Sequence, residues 1–213
     1  MCLSAHKVTQ RIYTFIKIMP EDFQIFIKPV GAACNLGCTY CYYLEKTELY
    51  SGRGPLKMSD EVLEALIKQQ VEASQEECVF FSWHGGEPLL AGIDFYRKAV
   101  ALQKKHLPKG RSALNGIQTN GTLISEEWCS FLRDENFIIG ISIDGPEELH
   151  NIHRITPSGK PTFKEVMRGY NLLREYMITS EILCVVSSGN SSRPLEVYDF
   201  FRGTGATLLT FLP

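Results

Sequence analysis

Short apolar runs alternate along the chain with longer segments whose apolar residues recur every three to four positions. The runs predict six β-strands, at Phe23–Val30, Cys78–Trp83, Ser112–Gln118, Phe137–Ile143, Glu181–Val186 and Thr207–Leu212. The intervening segments predict five helices. Ser59 and Ser125 are expected as N-caps, Thr162–Glu165 as a capping box, and Pro194 as the start of the last helix.

Strict alternation of strand and helix predicts an α/β fold with parallel strands joined by right-handed crossovers. The strands are continuous apolar runs, which is typical of strands covered on both faces. Two closures agree equally with this pattern, an open doubly wound sheet and a barrel of (β/α) units.

Composition and charge exclude several classes of protein. Of 213 residues, 44% are hydrophobic and 22% charged, which is typical of a globular domain. The net charge of −2 gives no indication of a nucleic-acid partner. No apolar run approaches the roughly 20 residues of a membrane span. The apolar segment Ile12–Ile18 is short, interrupted by Lys17 and followed by no cleavage site, so a secretory signal is not expected and the predicted location is the cytoplasm.

The predicted organisation is an N-terminal extension, residues 1–22, followed by one domain, residues 23–213. Met19 directly precedes the first strand and is an alternative start of translation. Residues 1–18 are therefore interpreted either as upstream translation or as an additional strand.

Four polar or glycine-rich segments each follow a predicted strand. They are Cys34–Cys41, Gly85–Pro88, Thr119–Gly121 and Asp144–Pro146. Ligands of parallel α/β folds bind at the carboxyl ends of the strands, so these loops are expected to converge on one site. Each of the last three is also an ordinary turn signal when taken alone.

Three of the seven cysteines, Cys34, Cys38 and Cys41, have the spacing C-x3-C-x2-C. Without a secretory signal, such a set indicates a metal or redox site. A structural zinc site usually has four ligands, and only His84 is available, through the fold. A [4Fe–4S] cluster also normally takes four thiolates, so three would leave one iron open. S-adenosylmethionine can supply an amine and a carboxylate to that iron.

The scattered cysteines have a different interpretation. Cys78, Cys129 and Cys184 lie in strand or helix patterns and are expected to be small buried hydrophobic residues.

The cysteine spacing, with Tyr40 before the last cysteine, resembles the radical S-adenosylmethionine signature. Further segments resemble the anaerobic sulfatase-maturating enzymes, and the resemblance extends from about Phe23 to Pro213. These segments are Ile27–Pro29, Trp83–Pro88, Gln118–Ile124, Ser142–Pro146, His150-Asn151 and Arg154.

The resemblance implies a partial (β/α)6 TIM-like barrel, here ending before its last helix. It implies one [4Fe–4S] cluster on Cys34, Cys38 and Cys41. It also implies S-adenosylmethionine contacts from Tyr40, Gly86, Ser142 and Arg154, with Gly85, Gly86 and Glu87 receiving the amino group.

The implied reaction begins with reductive cleavage of S-adenosylmethionine to a 5′-deoxyadenosyl radical. The radical abstracts a hydrogen from Cβ of a cysteine or serine in an unfolded sulfatase polypeptide, and the product is Cα-formylglycine. The implied electron donor is a flavodoxin or ferredoxin.

The residues themselves are compatible with these roles and with simpler ones. Glycine at 85 and 86 lets the backbone approach a ligand closely, and the Ser142 hydroxyl can bind a ribose. Arg154 can pair with a carboxylate or lie on the surface. His84 is expected to pack beneath the site, whereas His150 and His153 are expected to be solvated.

The sequence departs from the family it resembles after Pro213. Those enzymes continue into a cysteine-rich SPASM domain with two auxiliary clusters, and their general base lies between the barrel and that domain. The chain is therefore expected to hold the cluster and cofactor part of an incomplete enzyme. The alternatives are a radical maturase of another peptide, for example a thioether-forming one, and a non-catalytic iron–sulfur or zinc-binding fragment.

Overall fold

A computed structural model describes residues 24–48 and 57–213. The predicted N-terminal extension lies outside these residues. The described residues form one sheet of six parallel strands in sequential order. The strands are β1 (Phe26–Ile27), β2 (Cys78–Trp83), β3 (Ser112–Thr119), β4 (Ile138–Ser142), β5 (Ser180–Val185) and β6 (Leu209–Leu212).

Sequential order decides between the two predicted closures. A doubly wound sheet reverses its strand order at a switch point, whereas here every strand pairs with the next one along the chain. Right-handed crossovers that always advance in one direction place every helix on the same face of the sheet. In the described residues, β1 and β6 are the edges of an open sheet. The fold is a partial TIM-like barrel, as predicted.

Seven α-helices lie within the described residues, and the five predicted ones are among them. They are α1 (Leu44–Glu48), α2 (Asp60–Ala73), α3 (Ile93–His106), α4 (Glu126–Asp134), α5 (Glu147–His153), α6 (Phe163–Glu175) and α7 (Pro194–Thr204). A 3₁₀ helix, Pro88–Ala91, precedes α3. None of the helices in this part of the chain is long and apolar enough to span a membrane.

The predicted helix starts are correct at two of three capping positions. The side chains of Ser59 and Ser125 accept hydrogen bonds from the main chain of α2 and α4. The capping box at Thr162 was wrong, because its hydroxyl donates to the carbonyl of Arg154 at 2.7 Å. Asn151 Oδ1 caps α6 instead, accepting from the amides of Thr162 and Phe163 at 3.1 Å.

The first strand is shorter than predicted. β1 ends at Ile27, and the chain then enters tight turns in which the Gly31 amide donates to the Lys28 carbonyl at 3.2 Å. Pro29 has no N–H to continue a strand ladder, which explains the early end. The turn carries the chain directly into the cysteine segment.

The expectation that both faces of the sheet are covered was also wrong. Buried and half-buried residues alternate along β4 and along most of β2, β3 and β5, so one face is sealed beneath the helices more completely than the other. The other, concave face carries small and polar residues at paired positions: Ser82 beside Gly116, Gln118 beside Gly140, and Gly140 beside Glu181. Phe80 and Leu183 lie on the same face, above Gly116 and Gly140. The barrel interior is thus a partly open surface of mixed polarity.

Aromatic rings fill the core between the sheet and the helices. Tyr96 of α3 makes edge-to-face contacts with Trp83, Phe95 and Trp128, with ring centroids 5.3–5.5 Å apart. Its hydroxyl donates to the Pro88 carbonyl at 3.0 Å. Two of the scattered cysteines, Cys129 and Cys184, are buried in this core as predicted, and Cys78 is partly buried.

Asn115 supplies the polar link within this core. Its Oδ1 accepts hydrogen bonds at 2.9 Å from the Trp83 indole and from Gln103 Nε2, and its Nδ2 donates to Gln103 Oε1 at 2.9 Å. Because the side chains of Trp83, Gln103 and Asn115 are all buried away from water, their polar groups need one another as hydrogen-bond partners.

Asn115→Ala is expected to lower the free energy of unfolding by about 2–4 kcal/mol, because it leaves buried donors and an acceptor without partners. Urea denaturation followed by tryptophan fluorescence measures the change. The matched control is Asn171→Ala on the exposed side of α6, which should change stability by less than about 0.5 kcal/mol. Equal effects of the two substitutions would contradict the role given to Asn115.

Candidate cluster and cofactor site

The cysteine segment is a loop held by main-chain hydrogen bonds to a distant part of the chain. The Gly37 amide donates to the Ile155 carbonyl at 2.8 Å, and the Thr39 amide donates to the His153 carbonyl at 3.0 Å. The Thr39 hydroxyl also lies 2.6 Å from His153 Nδ1. The loop after β1 is therefore fixed against the end of α5 and the segment that follows it.

The three predicted cluster ligands are neighbours in this loop. Cys38 is buried, Cys34 and Cys41 are partly buried, and all three are free thiols. Burial raises the pKa of Cys34 to about 11, and the charges of Glu87 and of the other two thiolates add to that increase. Burial also raises the pKa of Cys38, which the guanidinium of Arg154 partly offsets.

These thiols fit a metal cluster. Burial favours their protonated form, and a bound metal would replace the proton and compensate the thiolate charge. Two N–H groups already face the Cys34 sulfur, from Leu36 at 3.4 Å and from Asn120 at 3.8 Å. Within residues 24–48 and 57–213, no three Cys, His, Asp or Glu side chains surround a position for a single metal ion.

The Gly85–Glu87 loop is packed directly against the cysteine loop. The Gly86 amide donates to the Gly31 carbonyl at 2.9 Å and the Glu87 amide to the Ala33 carbonyl at 2.8 Å. A Cβ on Gly86 would lie 2.1 Å from the Ala33 carbonyl oxygen. The contact between these two loops therefore requires glycine at position 86. The sequence alone had suggested close approach of a ligand as the reason for this glycine.

Glu87 connects this loop to the one after β3. Its side chain is fully buried and accepts three hydrogen bonds: from the Leu89 amide at 3.0 Å, the Thr119 hydroxyl at 2.7 Å and the Asn120 amide at 2.7 Å. Burial raises the pKa of Glu87 to about 7, although these donors favour the ionised form. The hydrogen bonds of the Glu87 carboxylate are thus made to other residues of the protein. Binding of a cofactor amino group at Gly85–Glu87 stays a prediction.

Asp144, which the sequence marked as part of a turn signal, is a buried centre of hydrogen bonding. Its carboxylate accepts from the Tyr40 hydroxyl at 2.5 Å and the Val185 amide at 3.0 Å. Arg154 reaches it with Nε at 2.9 Å and Nη2 at 3.1 Å. The pKa of Tyr40 is raised by burial and by the Asp144 charge, against the opposing effect of Arg154.

Arg154 is therefore neither a surface arginine nor an isolated charge. It is buried, paired with Asp144, and its guanidinium lies 5.5 Å from the centre of the Tyr40 ring. Two of the predicted cofactor contacts, Tyr40 and Arg154, are joined through one carboxylate.

Ser142 lies at the end of β4 on the concave face. Its Oγ accepts a hydrogen bond from Gln118 Nε2 at 3.1 Å. Gln118 reaches it across Gly140, where a Cβ would lie 2.0 Å from Gln118 Oε1. Because one lone pair of Ser142 is occupied by this donor, its own O–H is directed elsewhere.

The sequence interpretation missed Asn190, although it lies in a loop that follows a strand like the others. Its Nδ2 donates to the Val185 carbonyl at 2.8 Å and to the Asp144 carbonyl at 3.2 Å. The available signal was the polar segment 187–191 after β5, whose position matches that of the four loops singled out.

Of the predictions made from the sequence for three histidines, one is confirmed and two are wrong. His84 packs against Phe26, and burial together with the charge of Lys28 lowers its pKa to about 4. His150, expected to be solvated, is fully buried in α5, and burial lowers its pKa to about 3. His153 is half-buried against Thr39. A helix over 147–153, which the sequence interpretation did not include, explains both errors.

Residues 29–201 match the Radical SAM superfamily, and the chain belongs to that superfamily. Its curated relatives include anaerobic sulfatase-maturating enzymes. It is 46% identical over 193 residues to a serine-type enzyme of Bacteroides thetaiotaomicron, covering 91% of this chain and 46% of the relative. It is 39% identical over 188 residues to a cysteine-type enzyme of Clostridium perfringens, covering 88% of this chain and 50% of the relative.

Solved structures show the same similarity to anaerobic sulfatase-maturating enzymes. Native anSMEcpe with bound AdoMet superposes with a TM-score of 0.82 at 39% identity, covering 88% of this chain and 51% of that chain. The same protein with bound AdoMet and the Kp18Cys peptide gives a TM-score of 0.80. The chain spans about half the length of these relatives.

Gly86→Ala is expected to destabilise the fold by about 1–3 kcal/mol, because the added methyl overlaps a main-chain carbonyl of the cysteine loop. Thermal and urea unfolding measure the change. Gly203→Ala in α7 is the matched control: its Cβ meets nothing within 4 Å, so it should be neutral or stabilising by up to about 1 kcal/mol. A Gly86 variant as stable as the wild type would show that the loops can separate.

Glu87→Gln is expected to change how stability depends on pH. Between pH 4.5 and 7 the unfolded chain has released the Glu87 proton while the folded chain retains it, so this group lowers the free energy of unfolding as pH rises. His84 and His150 titrate in the opposite sense, because their pKa values are lowered in the fold. The useful quantity is therefore the difference in the free energy of unfolding between wild type and variant.

That difference, wild type minus variant, should fall by at most about 3 kcal/mol between pH 4.5 and 7. Urea unfolding of both proteins at pH 4.5, 5.5 and 7 measures it. A difference that is constant across this range would contradict the raised pKa of Glu87.

Proposed function

We propose that this chain is the cluster-binding and cofactor-binding part of an anaerobic sulfatase maturase. The proposed reaction oxidises a cysteine or serine of a sulfatase to Cα-formylglycine. The observation that carries the proposal is the hydrogen-bonded assembly of the cysteine loop with the loops after β2, β3 and β4. Similarity to maturases of both the serine and the cysteine type supports it.

In this proposal Cys34, Cys38 and Cys41 hold a [4Fe–4S] cluster that has one iron free for S-adenosylmethionine. The partial exposure of Cys34 and Cys41 is compatible with access from the open side of the barrel. When both groups are bound, the cluster supplies the electron that cleaves S-adenosylmethionine reductively.

The proposed cofactor contacts are Tyr40, Gly85, Gly86, Glu87, Ser142 and Arg154. Asp144 fixes two of them, since it accepts hydrogen bonds from both Tyr40 and Arg154. The pairing with Asp144 also neutralises the Arg154 charge, which limits repulsion of a positively charged sulfonium. Ser142, already an acceptor for Gln118, has its O–H free to donate to a ribose hydroxyl.

The concave face is the proposed surface for the peptide substrate. It is half-exposed and carries Gln118, Ser142 and Glu181, groups that can bind the main chain of an extended segment. The proposed partners are an unfolded sulfatase polypeptide and a reductant such as flavodoxin or ferredoxin, and the proposed location is the cytoplasm. The general base is proposed to lie beyond Pro213.

Anaerobic reconstitution with iron and sulfide tests the proposal. The wild-type chain is expected to bind about four irons with visible cluster absorbance, and to cleave S-adenosylmethionine after reduction with dithionite. Cys34→Ala, Cys38→Ala and Cys41→Ala should each lose the cluster and the cleavage. Iron analysis, absorbance and chromatography of 5′-deoxyadenosine provide the measurements.

Cys78→Ala is the matched control, because Cys78 is partly buried at the start of β2 and outside the cysteine loop. It should retain both cluster and cleavage. Binding of zinc in place of iron under anaerobic conditions, or cleavage that survives Cys34→Ala, would overturn the proposal.

A further inference from the structure

The side-chain amide of Asn120 faces the sulfur of a proposed cluster ligand. Asn120 is 8% exposed, and its Nδ2 lies 3.8 Å from Cys34 Sγ. The same Nδ2 donates to Asn35 Oδ1 at 2.9 Å. The Leu36 amide reaches the same sulfur at 3.4 Å, so Cys34 faces two N–H donors.

A closed ring of hydrogen bonds fixes the direction of this amide. Asn120 Oδ1 accepts from the Thr122 amide at 3.0 Å and from the Thr122 hydroxyl at 2.7 Å. The Thr122 hydroxyl in turn accepts from Asn35 Nδ2 at 2.8 Å. Rotating the Asn120 amide by half a turn would place its NH₂ against the Thr122 N–H. The arrangement therefore holds the donor side towards Cys34.

The position of the main chain is set independently of this ring. The Asn120 amide donates to Glu87 Oε2 at 2.7 Å, so a change of the Asn120 side chain leaves this anchor intact. When ionised, the carboxylate of Glu87 also places a negative charge near Cys34. Asn120 and Glu87 thus act on the same sulfur with opposite sign.

Hydrogen bonds to cluster sulfurs set the reduction potential of iron–sulfur clusters. Reduction adds negative charge that spreads to the thiolates, so a donor stabilises the reduced state more than the oxidised state. We propose that Asn120 raises the reduction potential of the cluster by donating to the Cys34 sulfur. This inference rests on the proposed function, because it requires a cluster on Cys34.

The test compares midpoint potentials of reconstituted proteins by anaerobic spectroelectrochemical titration. Asn120→Ala removes the donor, and Asn120→Asp replaces it with a carboxylate of nearly the same shape that keeps the acceptor for Thr122. Both potentials are expected to become more negative, with the larger shift in the Asp variant. The expected change in the reduction equilibrium is about tenfold, or about 59 mV for one electron.

Thr122→Val is the matched control. It removes the hydroxyl from the ring but keeps the Thr122 amide as a donor to Asn120 Oδ1, so the Asn120 donor is retained. Its potential is expected to stay close to that of the wild type. A shift as large as that of Asn120→Ala would overturn the inference, because general loosening of the loop would then explain both.

Other outcomes are equally decisive. Wild-type potential in the two Asn120 variants, at full iron content, would overturn the inference and leave the proposed function intact. Loss of the cluster from both variants, while Thr122→Val still binds a full cluster, would also overturn the inference. Asn120 would then be needed to hold the cysteine loop in place, and not to raise the reduction potential. Failure of the wild type to bind a cluster would instead reject the proposed function.

Discussion

A carboxylate without access to water joins the first three loops of the site. The Glu87 side chain binds the loop after β3 through Thr119 and Asn120, while its own amide binds the cysteine loop at Ala33. An ionised group in such a position is costly unless hydrogen bonds compensate for the loss of water. Three donors converge on it, so separating any two of these loops would expose this carboxyl group or leave it without partners.

Asp144 has the corresponding role on the other side of the cysteine loop. It binds Tyr40 from that loop, Arg154 from the end of α5 and the main chain of β5. The two carboxylates thus act through different partners, Glu87 through main-chain and hydroxyl donors, and Asp144 through a charged pair as well. Hydrogen bonds from the Glu87 amide and to the Asp144 carboxylate thus fix the position of the cysteine loop.

The sequence predicted the architecture well because alternating apolar and amphipathic segments encode it locally. It could not predict which face of the sheet is open, because Gly116 and Gly140 look like strand breakers until Phe80 is seen above Gly116 and Gln118 above Gly140. The loops were identified by their position after strands, but their contacts were not. Two partners of Asp144, Tyr40 and Val185, lie more than forty positions away along the chain, and no local pattern carries that information. His150 was misjudged because its helix is only seven residues long and has no apolar period.

The bonds that close the cysteine loop have consequences for the order of folding. Asn35 meets Thr122 across 87 residues, Tyr40 meets Asp144 across 104, and Thr39 meets His153 across 114. Contacts of such high sequence separation form late, because chain entropy must be lost before they are gained. During synthesis the three thiols emerge early, yet their native surroundings are complete only after α5 and its following segment have left the ribosome. Nascent chains therefore pass through a long interval with exposed thiols, in which stray metals and oxidants compete for the same sulfurs.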